Sequence, residues 1–267
     1  FDVGIAEQHA VTFAAGLAMR GLRPVVCIYS TFLQRAFDQV ASDVALHRLP
    51  VTFVIDRAGI TGADGPSHHG MLDLAYLRCI PGMTISAPGS PDELRRMFAT
   101  ALAYEGPFSL RFPRGPAPSA STEPLEPIPV PSVVIHHRGR DLALLAVGKM
   151  VPIAMQAQEK LAVLGVSTTV VDARFVKPLA PELSAIAARH RAVITVEDGV
   201  AAGGFGSAVT ELLTSDGVMV PIVRMGLPDK FIEHGAQAAL LGQLGLDADG
   251  IVAAGLALLP ATEVLAG

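Results

Sequence analysis

The sequence has only two cysteines, no basic tract and no long apolar run. Cys27 and Cys79 form no CxxC pair and lie in apolar stretches, so we interpret them as reduced core residues of a cytoplasmic protein. The net charge of −5 argues against a nucleic-acid partner. No run reaches the roughly 18 consecutive apolar residues that a membrane-spanning helix needs, so no membrane partner is expected. No secretion or transit signal is recognisable at Phe1.

Apolar residues nevertheless make up 51% of the chain, and the mean hydropathy is +0.46. An apolar excess without a membrane span is typical of strands that are buried on both faces, as in parallel sheets. A length of 267 residues fits one large domain or two of medium size.

Strand-like and helix-like stretches alternate in both halves of the chain. In the first half, strands are predicted at 24–29, 51–56, 83–87 and 108–112, and helices at 10–18, 31–47 and 90–104, with Thr31 as a candidate N-cap. In the second half, strands are predicted at 142–147, 166–172, 192–198 and 218–225, and helices at 150–164, 181–190 and 203–214. This alternation predicts an α/β protein in which mainly parallel sheets are covered by helices on both faces.

A proline-rich stretch separates the two halves. Residues 113–131 hold seven prolines, which exclude a central strand or a helix interior. We therefore predict a first domain over 1–115, a linker over 116–140 and a second domain over 141–267.

Several side chains that could bind a small anion follow the predicted strands of the first half. Tyr29, Arg57 and Arg114 each come just after a strand, and Asp64, His68 and His69 lie in the glycine-rich loop that follows Arg57. Because ligands bind beyond the carboxyl ends of parallel strands, these groups are expected to gather along one edge of the sheet. Guanidinium groups suit phosphate or carboxylate, so the edge predicts a site for a small phosphorylated or anionic substrate.

Each of these residues also has a simpler interpretation. Glu7 stands where a helix begins and could merely favour the helix dipole, by about 0.3–1 kcal/mol. Phe32 could be a core residue, the arginines could be solvated, and the histidines could be loop residues without a task. The stretch "GITGADG" lacks the spacing of a nucleotide-binding loop.

Longer stretches carry a family resemblance: "FDVGIAEQHAVTFAAGLA", "IYSTFLQRAFDQV", "DRAGITGADGPSHHG", "DLAYLRCIPGM" and "RFPRG" in the first half, and "DARFVKPL" and "EDGVAAGGFGSAV" in the second. The chain resembles the 1-deoxy-D-xylulose-5-phosphate synthase family, whose members are thiamine-diphosphate enzymes of the transketolase group. The likeness covers nearly the whole chain. It implies that the two domains are the pyrimidine-binding domain and the C-terminal domain of that group.

The resemblance implies a role for each candidate residue. Glu7 matches the glutamate that hydrogen-bonds N1′ of the cofactor's aminopyrimidine, and Phe32 matches the aromatic that stacks on this ring. Arg35, one helical turn later, is expected to fix the geometry near the cofactor or to form a structural ion pair.

The acceptor side of the site follows in the same way. Arg57 and Arg114 match arginines for the phosphate of D-glyceraldehyde 3-phosphate, and Tyr29 and Asp64 match residues of the acceptor pocket. His68 matches a histidine near the reacting carbon that positions pyruvate or relays a proton, while His69 receives no role.

The implied reaction joins pyruvate and D-glyceraldehyde 3-phosphate to give 1-deoxy-D-xylulose 5-phosphate and carbon dioxide, for isoprenoid and thiamine synthesis. Thiamine diphosphate and Mg²⁺ are the implied cofactors. Family members are longer and hold the diphosphate and the metal in an N-terminal domain that this chain does not show. We therefore expect no metal ligands here, a partner domain or chain for the diphosphate, a homodimer with contacts from the C-terminal domain, and no activity of this chain alone.

Two alternatives stay open. The chain could be half of another transketolase-like enzyme, such as a transketolase or the β subunit of a 2-oxoacid dehydrogenase, or it could be a non-catalytic interaction module when isolated. The stretch "EDGVAAGGFG" at 197–206 could bind an anion at a helix start, although tight packing is the favoured interpretation.

Overall fold

The computed structural model describes residues 1–117 and 126–259. The first half of the chain contains α1 (Glu7–Met19), β1 (Val25–Tyr29), α2 (Ser30–Leu33), a 3₁₀ turn (Gln34–Ala36), α3 (Phe37–Gln39), a π-helical turn (Val40–Ala45), β2 (Thr52–Asp56), α4 (Asp73–Arg78), β3 (Thr84–Ser86), α5 (Pro91–Ala103) and β4 (Phe108–Arg111). The second half contains β5 (Val134–His137), β6 (Leu142–Ala146), α6 (Met150–Val163), β7 (Thr168–Asp172), β8 (Phe175–Lys177), α7 (Glu182–Ala187), β9 (Ala192–Val200), α8 (Phe205–Ser215), β10 (Ile222–Leu227), α9 (Gln237–Gln243) and α10 (Ala248–Leu258).

These strands form two five-stranded sheets, with the orders β1-β2-β4-β3-β8 and β10-β9-β6-β7-β5. In each sheet four strands are parallel, and the fifth, β8 or β5, joins an edge antiparallel. Helices pack against both sheets, so the predicted α/β class with two mainly parallel sheets is confirmed.

The apolar excess of the sequence lies in these sheets. All five residues of β6 and all five of β7 are buried, as are the first eight of the nine in β9. A strand that is covered on both faces has no solvent-exposed side, which explains why β6 is entirely apolar and why β7 and β9 carry runs of valine and isoleucine. The hydropathy therefore reflects sheet burial.

A strand from the second half of the chain completes the first sheet. β8 belongs to the second half of the chain but pairs with β3 of the first sheet. The Nζ of Lys177, at the end of β8, donates to the carbonyl oxygens of Arg78 and Ile80 at 2.9 and 2.6 Å. The sequence did not predict this strand, because "FVK" is too short to show a pattern.

The predicted linker contains an element of the second sheet. β5 (Val134–His137) lies within the stretch 116–140 and pairs with β7. It can do so in spite of the nearby prolines because an edge strand needs hydrogen bonds on one side only. Residues 118–125 of the linker and 260–267 of the second domain lie outside the described residues, and the domain boundaries themselves stay predictions.

Both cysteines are free thiols, but the expectation that they lie in the core is wrong, since both are exposed. β1 is an edge strand, and Cys27 lines an open cavity beside it. Cys79 lies at the C-terminal end of α4. Thr31 is likewise not an N-cap, because α2 begins one residue earlier, at Ser30.

One stretch, Gln237–Leu258, is by length and composition long and apolar enough to cross a membrane. In the structure it is two helices, α9 and α10, separated by a turn in which Gly245 has a φ of +65°. Asp247 caps α10 by accepting a hydrogen bond from the Gly250 N–H, and Ile251 of α10 is fully buried. The expectation that the chain has no membrane partner stays a prediction.

Candidate active site

Glu7 is the first residue of α1, and its side chain lines an open cavity of about 660 Å³ between α1 and β1. The side chain of Glu7 is only 12% exposed. Most of the surrounding wall is apolar, and it includes Ala10, Phe13, Ala14 and Leu17 of α1. The face of α1 that the sequence predicted to be buried therefore partly lines the cavity. The most buried residues of α1 are Val11, Ala14, Ala15 and Ala18.

Phe32 also lines this cavity. Its ring stacks on Tyr29, with the centroids 5.5 Å apart and the planes 16° apart, and meets the ring of His68 edge-on at 5.4 Å. It is only half-buried, so the interpretation of Phe32 as a core residue is not supported. The sequence places an aromatic face beside the Glu7 cavity because α2 begins directly where β1 ends.

Arg35 connects Glu7 with Phe32. Its guanidinium lies 3.9 Å from the Glu7 carboxylate, and its Cζ lies 5.7 Å from the centre of the Phe32 ring. The Arg35 side chain is 57% exposed, so the ion pair by itself contributes little stability. The contacts of Arg35 place a carboxylate, a cation and an aromatic ring side by side at the cavity.

Arg57 follows β2 with a backbone φ of +54°, in the left-handed region that non-glycine residues seldom adopt. Its guanidinium carbon lies 3.7 Å from the centre of the Tyr29 ring, and its Nη1 donates to Asp56 Oδ2 at 2.5 Å. β1 and β2 are paired in register so that Tyr29 lies opposite Asp56, and this explains the meeting of these side chains.

Arg114 and Asp64 form an ion pair across the loop. The hydrogen bond from Arg114 holds the pKa of the exposed Asp64 below its usual value, and the charges of Arg114, His68 and Arg57 lower it further. The ion pair of Arg114 with Asp64 and the contact of Arg57 with Tyr29 thus bring four of the residues that the sequence placed along this edge into two pairs. We call this group the acceptor edge.

His68 lies between this acceptor edge and the Glu7 cavity. Its Nδ1 is 3.0 Å from Ser67 Oγ, and its ring contacts Phe32. A second, smaller cavity of about 310 Å³ is lined by Phe32, Arg35 and His68 together with Phe231 of the second half. The C-terminal half therefore contributes a wall near the candidate site, which the sequence did not indicate.

His69, which received no role from the sequence, is buried and forms hydrogen bonds with both halves of the chain. The Thr61 N–H donates to His69 Nδ1 at 3.1 Å, so that nitrogen carries no proton. Nε2 then carries the proton and donates to the Glu233 carbonyl oxygen at 3.3 Å. These hydrogen bonds fix the loop that carries Asp64 and His68. Nothing in the sequence distinguishes the structural role of His69 from the role of His68.

A buried ion cluster, which the sequence also did not reveal, lies beneath the same loop. Arg111 Nε donates to Asp73 Oδ2 at 2.8 Å, Arg111 Nη1 donates to Asp198 Oδ1, and Lys149 Nζ lies 3.5 Å from Asp198 Oδ2. Burial alone would raise the pKa of Asp198, but the charges of Arg111 and Lys149 outweigh it and lower that pKa. Since Arg111 ends β4 and Asp198 lies in β9, the cluster joins the two sheets.

The glycine-rich start of α8 binds a carboxylate of the chain itself. Glu197 accepts hydrogen bonds from the Phe205 and Gly206 N–H groups at 2.9 and 2.8 Å. A Cβ on Gly204 would lie 2.1 Å from Glu197 Oε2, which explains the glycine. The tight-packing interpretation of this stretch is therefore the better one, and Glu197 occupies the anion position.

The residues around the larger cavity fit the pyrimidine half of thiamine diphosphate. A half-buried aromatic face beside a carboxylate in an apolar wall suits a flat heterocycle with a protonatable nitrogen. For a metal the donor set is lacking: among residues 1–117 and 126–259, no three His, Cys, Asp or Glu side chains are grouped so that they could hold an ion.

Comparisons with known proteins find two family domains in the chain. The family model described as "Transketolase, pyrimidine binding domain" matches residues 1–119, and "Transketolase, C-terminal domain" matches residues 132–251. In a solved structure described as "Split gene transketolase, inactive beta4 tetramer", one chain is 32% identical, with a TM-score of 0.86 over 97% of this chain and 83% of that one.

Curated relatives have a higher sequence identity to this chain than that solved structure does. A protein of Thiobacillus denitrificans named 1-deoxy-D-xylulose-5-phosphate synthase is 54% identical over 253 residues, which are 94% of this chain and 40% of that protein. A Thermomicrobium roseum protein of the same name is 53% identical over 265 residues, covering 97% of this chain and 42% of its own length. The chain thus spans about two fifths of the curated relatives it matches.

Proposed function

This chain belongs to the transketolase family, and from that membership we propose that it forms the pyrimidine-binding and C-terminal part of a 1-deoxy-D-xylulose-5-phosphate synthase. The reaction is the condensation of pyruvate with D-glyceraldehyde 3-phosphate to 1-deoxy-D-xylulose 5-phosphate and carbon dioxide. Its product serves isoprenoid and thiamine synthesis. The observation that carries the proposal is the acceptor edge, where Arg114 pairs with Asp64 and Arg57 packs on Tyr29, whose ring also lines the Glu7 cavity.

Glu7 is the activating residue in this proposal. Thiamine diphosphate, when bound, supplies the nucleophilic carbon that decarboxylates pyruvate and transfers its two-carbon unit. Glu7 holds a proton between its carboxylate and N1′ of the pyrimidine, a general acid–base task that needs a carboxyl group in a sheltered pocket. The 12% exposure of its side chain and its place at the helix start meet that need.

Phe32 and Arg35 orient the cofactor. The Phe32 ring offers a stacking face, worth about 0.5–1.5 kcal/mol beyond its buried area. Arg35 holds the carboxylate of Glu7 on one side and the Phe32 ring on the other, so it keeps the two groups in a constant relation.

The acceptor edge binds the phosphorylated aldehyde. Arg57 and Arg114 present guanidinium forks to the phosphate, while Tyr29 and Asp64 line the pocket of the aldehyde. His68, between this edge and the Phe32 ring, positions pyruvate or relays a proton.

We propose further that the diphosphate and Mg²⁺ are held by a diphosphate-binding domain outside this chain, on the same or another polypeptide. The assembled enzyme, meaning this chain together with that domain, is then a cytoplasmic homodimer. A site shared with another chain agrees with the solved split-gene transketolase, which is described as an inactive beta4 tetramer.

The test is an assay of the assembled enzyme. Pyruvate-dependent incorporation of D-glyceraldehyde 3-phosphate, with release of carbon dioxide, is expected, and its absence would contradict the proposal. The isolated chain is expected to be inactive and to show weak heat of binding in calorimetry with thiamine diphosphate and Mg²⁺. Micromolar affinity of the isolated chain would refute that second expectation.

One alternative has an observation in its favour. The similarity to a split-gene transketolase over 83% of that chain also fits one half of a two-chain transketolase. Ketol transfer from xylulose 5-phosphate by the assembled enzyme, without use of pyruvate, would establish that alternative. Transfer to lipoamide would instead indicate a 2-oxoacid dehydrogenase.

A further inference from the structure

Asp56 has no role in the proposed reaction, yet it contacts the arginine most firmly fixed at the acceptor edge. It is the last residue of β2, and its Oδ2 accepts a hydrogen bond of 2.5 Å from Arg57 Nη1. The Arg57 side chain is 25% exposed and that of Arg114 is 51% exposed, while their partners Asp56 and Asp64 are similar at 32% and 30%. Arg57 is therefore the less solvated of the two arginines.

The backbone of Arg57 is held by the residues that follow it. The Ala58 N–H donates to the Phe112 carbonyl oxygen at 3.0 Å, and the Gly59 N–H donates to the Gly70 carbonyl oxygen at 2.7 Å. These bonds keep Arg57 at a φ of +54°, a conformation that costs about 1–3 kcal/mol in a non-glycine residue. Strain that persists at a ligand edge indicates a side chain with a fixed task.

The guanidinium of Arg57 is then fixed from two directions. The centre of the Tyr29 ring lies 3.7 Å from the guanidinium carbon, and Asp56 Oδ2 accepts a hydrogen bond from Nη1. A ring defines the plane of a guanidinium but leaves it free to rotate within that plane. A carboxylate on one nitrogen removes this freedom, and the remaining N–H groups then point in one direction.

The placement of Asp56 is not favourable for a carboxylate by itself. Burial raises the pKa of Asp56, and the charge and hydrogen bond of Arg57 offset this only in part. Its second oxygen, Oδ1, is buried and has no hydrogen-bond partner among the described residues. The contact with Arg57 is thus the main interaction that stabilises the ionised group, with a smaller effect from a backbone hydrogen bond.

We propose that Asp56 is a positioning residue that orients Arg57 toward the phosphate of the acceptor aldehyde. The inference rests on the proposed function, since it assumes a phosphorylated acceptor at this edge. The opposite expectation follows if Asp56 only neutralises charge, because removing a carboxylate near a phosphate then strengthens phosphate binding.

The test compares two acceptors in the assembled enzyme. In Asp56→Ala, the KM for D-glyceraldehyde 3-phosphate is expected to rise about tenfold, a typical effect of losing one charge-assisted hydrogen bond. The kcat at saturation and the KM for unphosphorylated D-glyceraldehyde are expected to change less than twofold. Asp56→Asn keeps an acceptor oxygen and is expected to restore part of the loss. Exposed Asp216, beyond α8, gives the control Asp216→Asn.

A double-mutant cycle separates positioning from general damage. Asn tolerates a positive φ, so Arg57→Asn removes the guanidinium with little added backbone strain. If Asp56 acts through Arg57, Asp56→Ala adds no further rise in KM to the Arg57→Asn variant. An unchanged or lower KM in Asp56→Ala, or an independent effect in the double variant, would overturn the inference. Absence of wild-type activity with pyruvate and the phosphorylated aldehyde would instead overturn the proposed function.

Discussion

The carboxylate of Glu7 lies 3.9 Å from the guanidinium of Arg35, whose Cζ lies 5.7 Å from the centre of the Phe32 ring. Three side chains, from α1, α2 and the 3₁₀ turn that follows α2, thus lie together in the wall of the cavity. A carboxylate that served only the helix dipole would need neither neighbour. The arrangement therefore favours a site for a flat, protonatable ring.

Glu7→Gln should nearly abolish turnover of the assembled enzyme, because an amide cannot share a proton with the cofactor ring. We expect a fall in kcat of at least about 100-fold, the lower range for loss of a general acid–base group, with an unchanged circular dichroism spectrum. Glu182 offers a control, since it too is an acidic residue in the first turn of a helix but is exposed. Glu182→Gln should leave kcat unchanged, and ordinary activity in Glu7→Gln would remove Glu7 from its assigned role.

Arg114→Ala should mainly weaken binding of the phosphorylated aldehyde. Loss of a guanidinium fork is expected to raise the KM for D-glyceraldehyde 3-phosphate about tenfold and to change kcat less. Arg23, which forms an exposed ion pair with Glu105, provides a control in Arg23→Ala. A steady-state assay in which both variants have the wild-type KM would remove Arg114 from the phosphate site.

Much of the fold could be predicted from the sequence because long buried strands and helices have clear periods. The strand predicted at 51–56 differs from β2 by one residue, and the helix predicted at 90–104 differs from α5 by one residue at each end. Tyr29, Arg57 and Arg114 could be assigned to one edge because Tyr29 ends a strand and the two arginines follow strands. Their roles came from the family resemblance, and these assignments stay predictions.

The remaining features depend on contacts between distant parts of the chain. Nothing local shows that Asp198 meets Arg111, that β8 joins the first sheet, or that His69 rather than His68 binds the Glu233 carbonyl oxygen. The burial of Cys27 was also predicted wrongly, because an apolar strand at the open edge of a sheet has the same sequence pattern as a buried strand. Long-range pairing and edge exposure are set by tertiary structure, which a single sequence does not reveal.

Gly59→Ala should destabilise the contact between the two sheets. A Cβ there would lie 2.0 Å from Asp198 Oδ2, and Gly59 has a φ of +73°. Asp198 cannot move aside without losing its bond to Arg111, so we expect the free energy of unfolding to fall by about 3 kcal/mol.

Urea unfolding measures this loss, with Gly16→Ala as the control. Gly16 lies within α1 and has open space where a Cβ would be, so that change should stabilise the chain by about 0.5–1 kcal/mol. Equal stability of Gly59→Ala and the wild type would show that Asp198 is more mobile than its contacts indicate.

Asp172→Asn should flatten the dependence of stability on pH. Burial raises the pKa of Asp172 to about 7, and the hydrogen bond from the Arg174 N–H only partly opposes this. An aspartate in an unfolded chain has a pKa of about 3.9. Between about pH 4 and pH 7 the folded chain therefore keeps a proton that the unfolded chain releases. The contribution of Asp172 is therefore fully present below about pH 4 and is lost as the pH rises to about 7, by at most roughly 4 kcal/mol.

Urea unfolding between pH 4 and pH 8 tests this dependence, because the asparagine of the Asp172→Asn variant keeps the acceptor for the Arg174 N–H but does not titrate. The loss of stability with rising pH should be steeper for the wild type and for the control Asp216→Asn than for Asp172→Asn. Some loss is expected to remain in all three proteins, because burial also raises the pKa of Glu197 to about 7. Parallel curves for the wild type and Asp172→Asn would contradict this prediction. They would mean that Asp172 in the folded chain is already ionised at about pH 5, below its raised pKa of about 7.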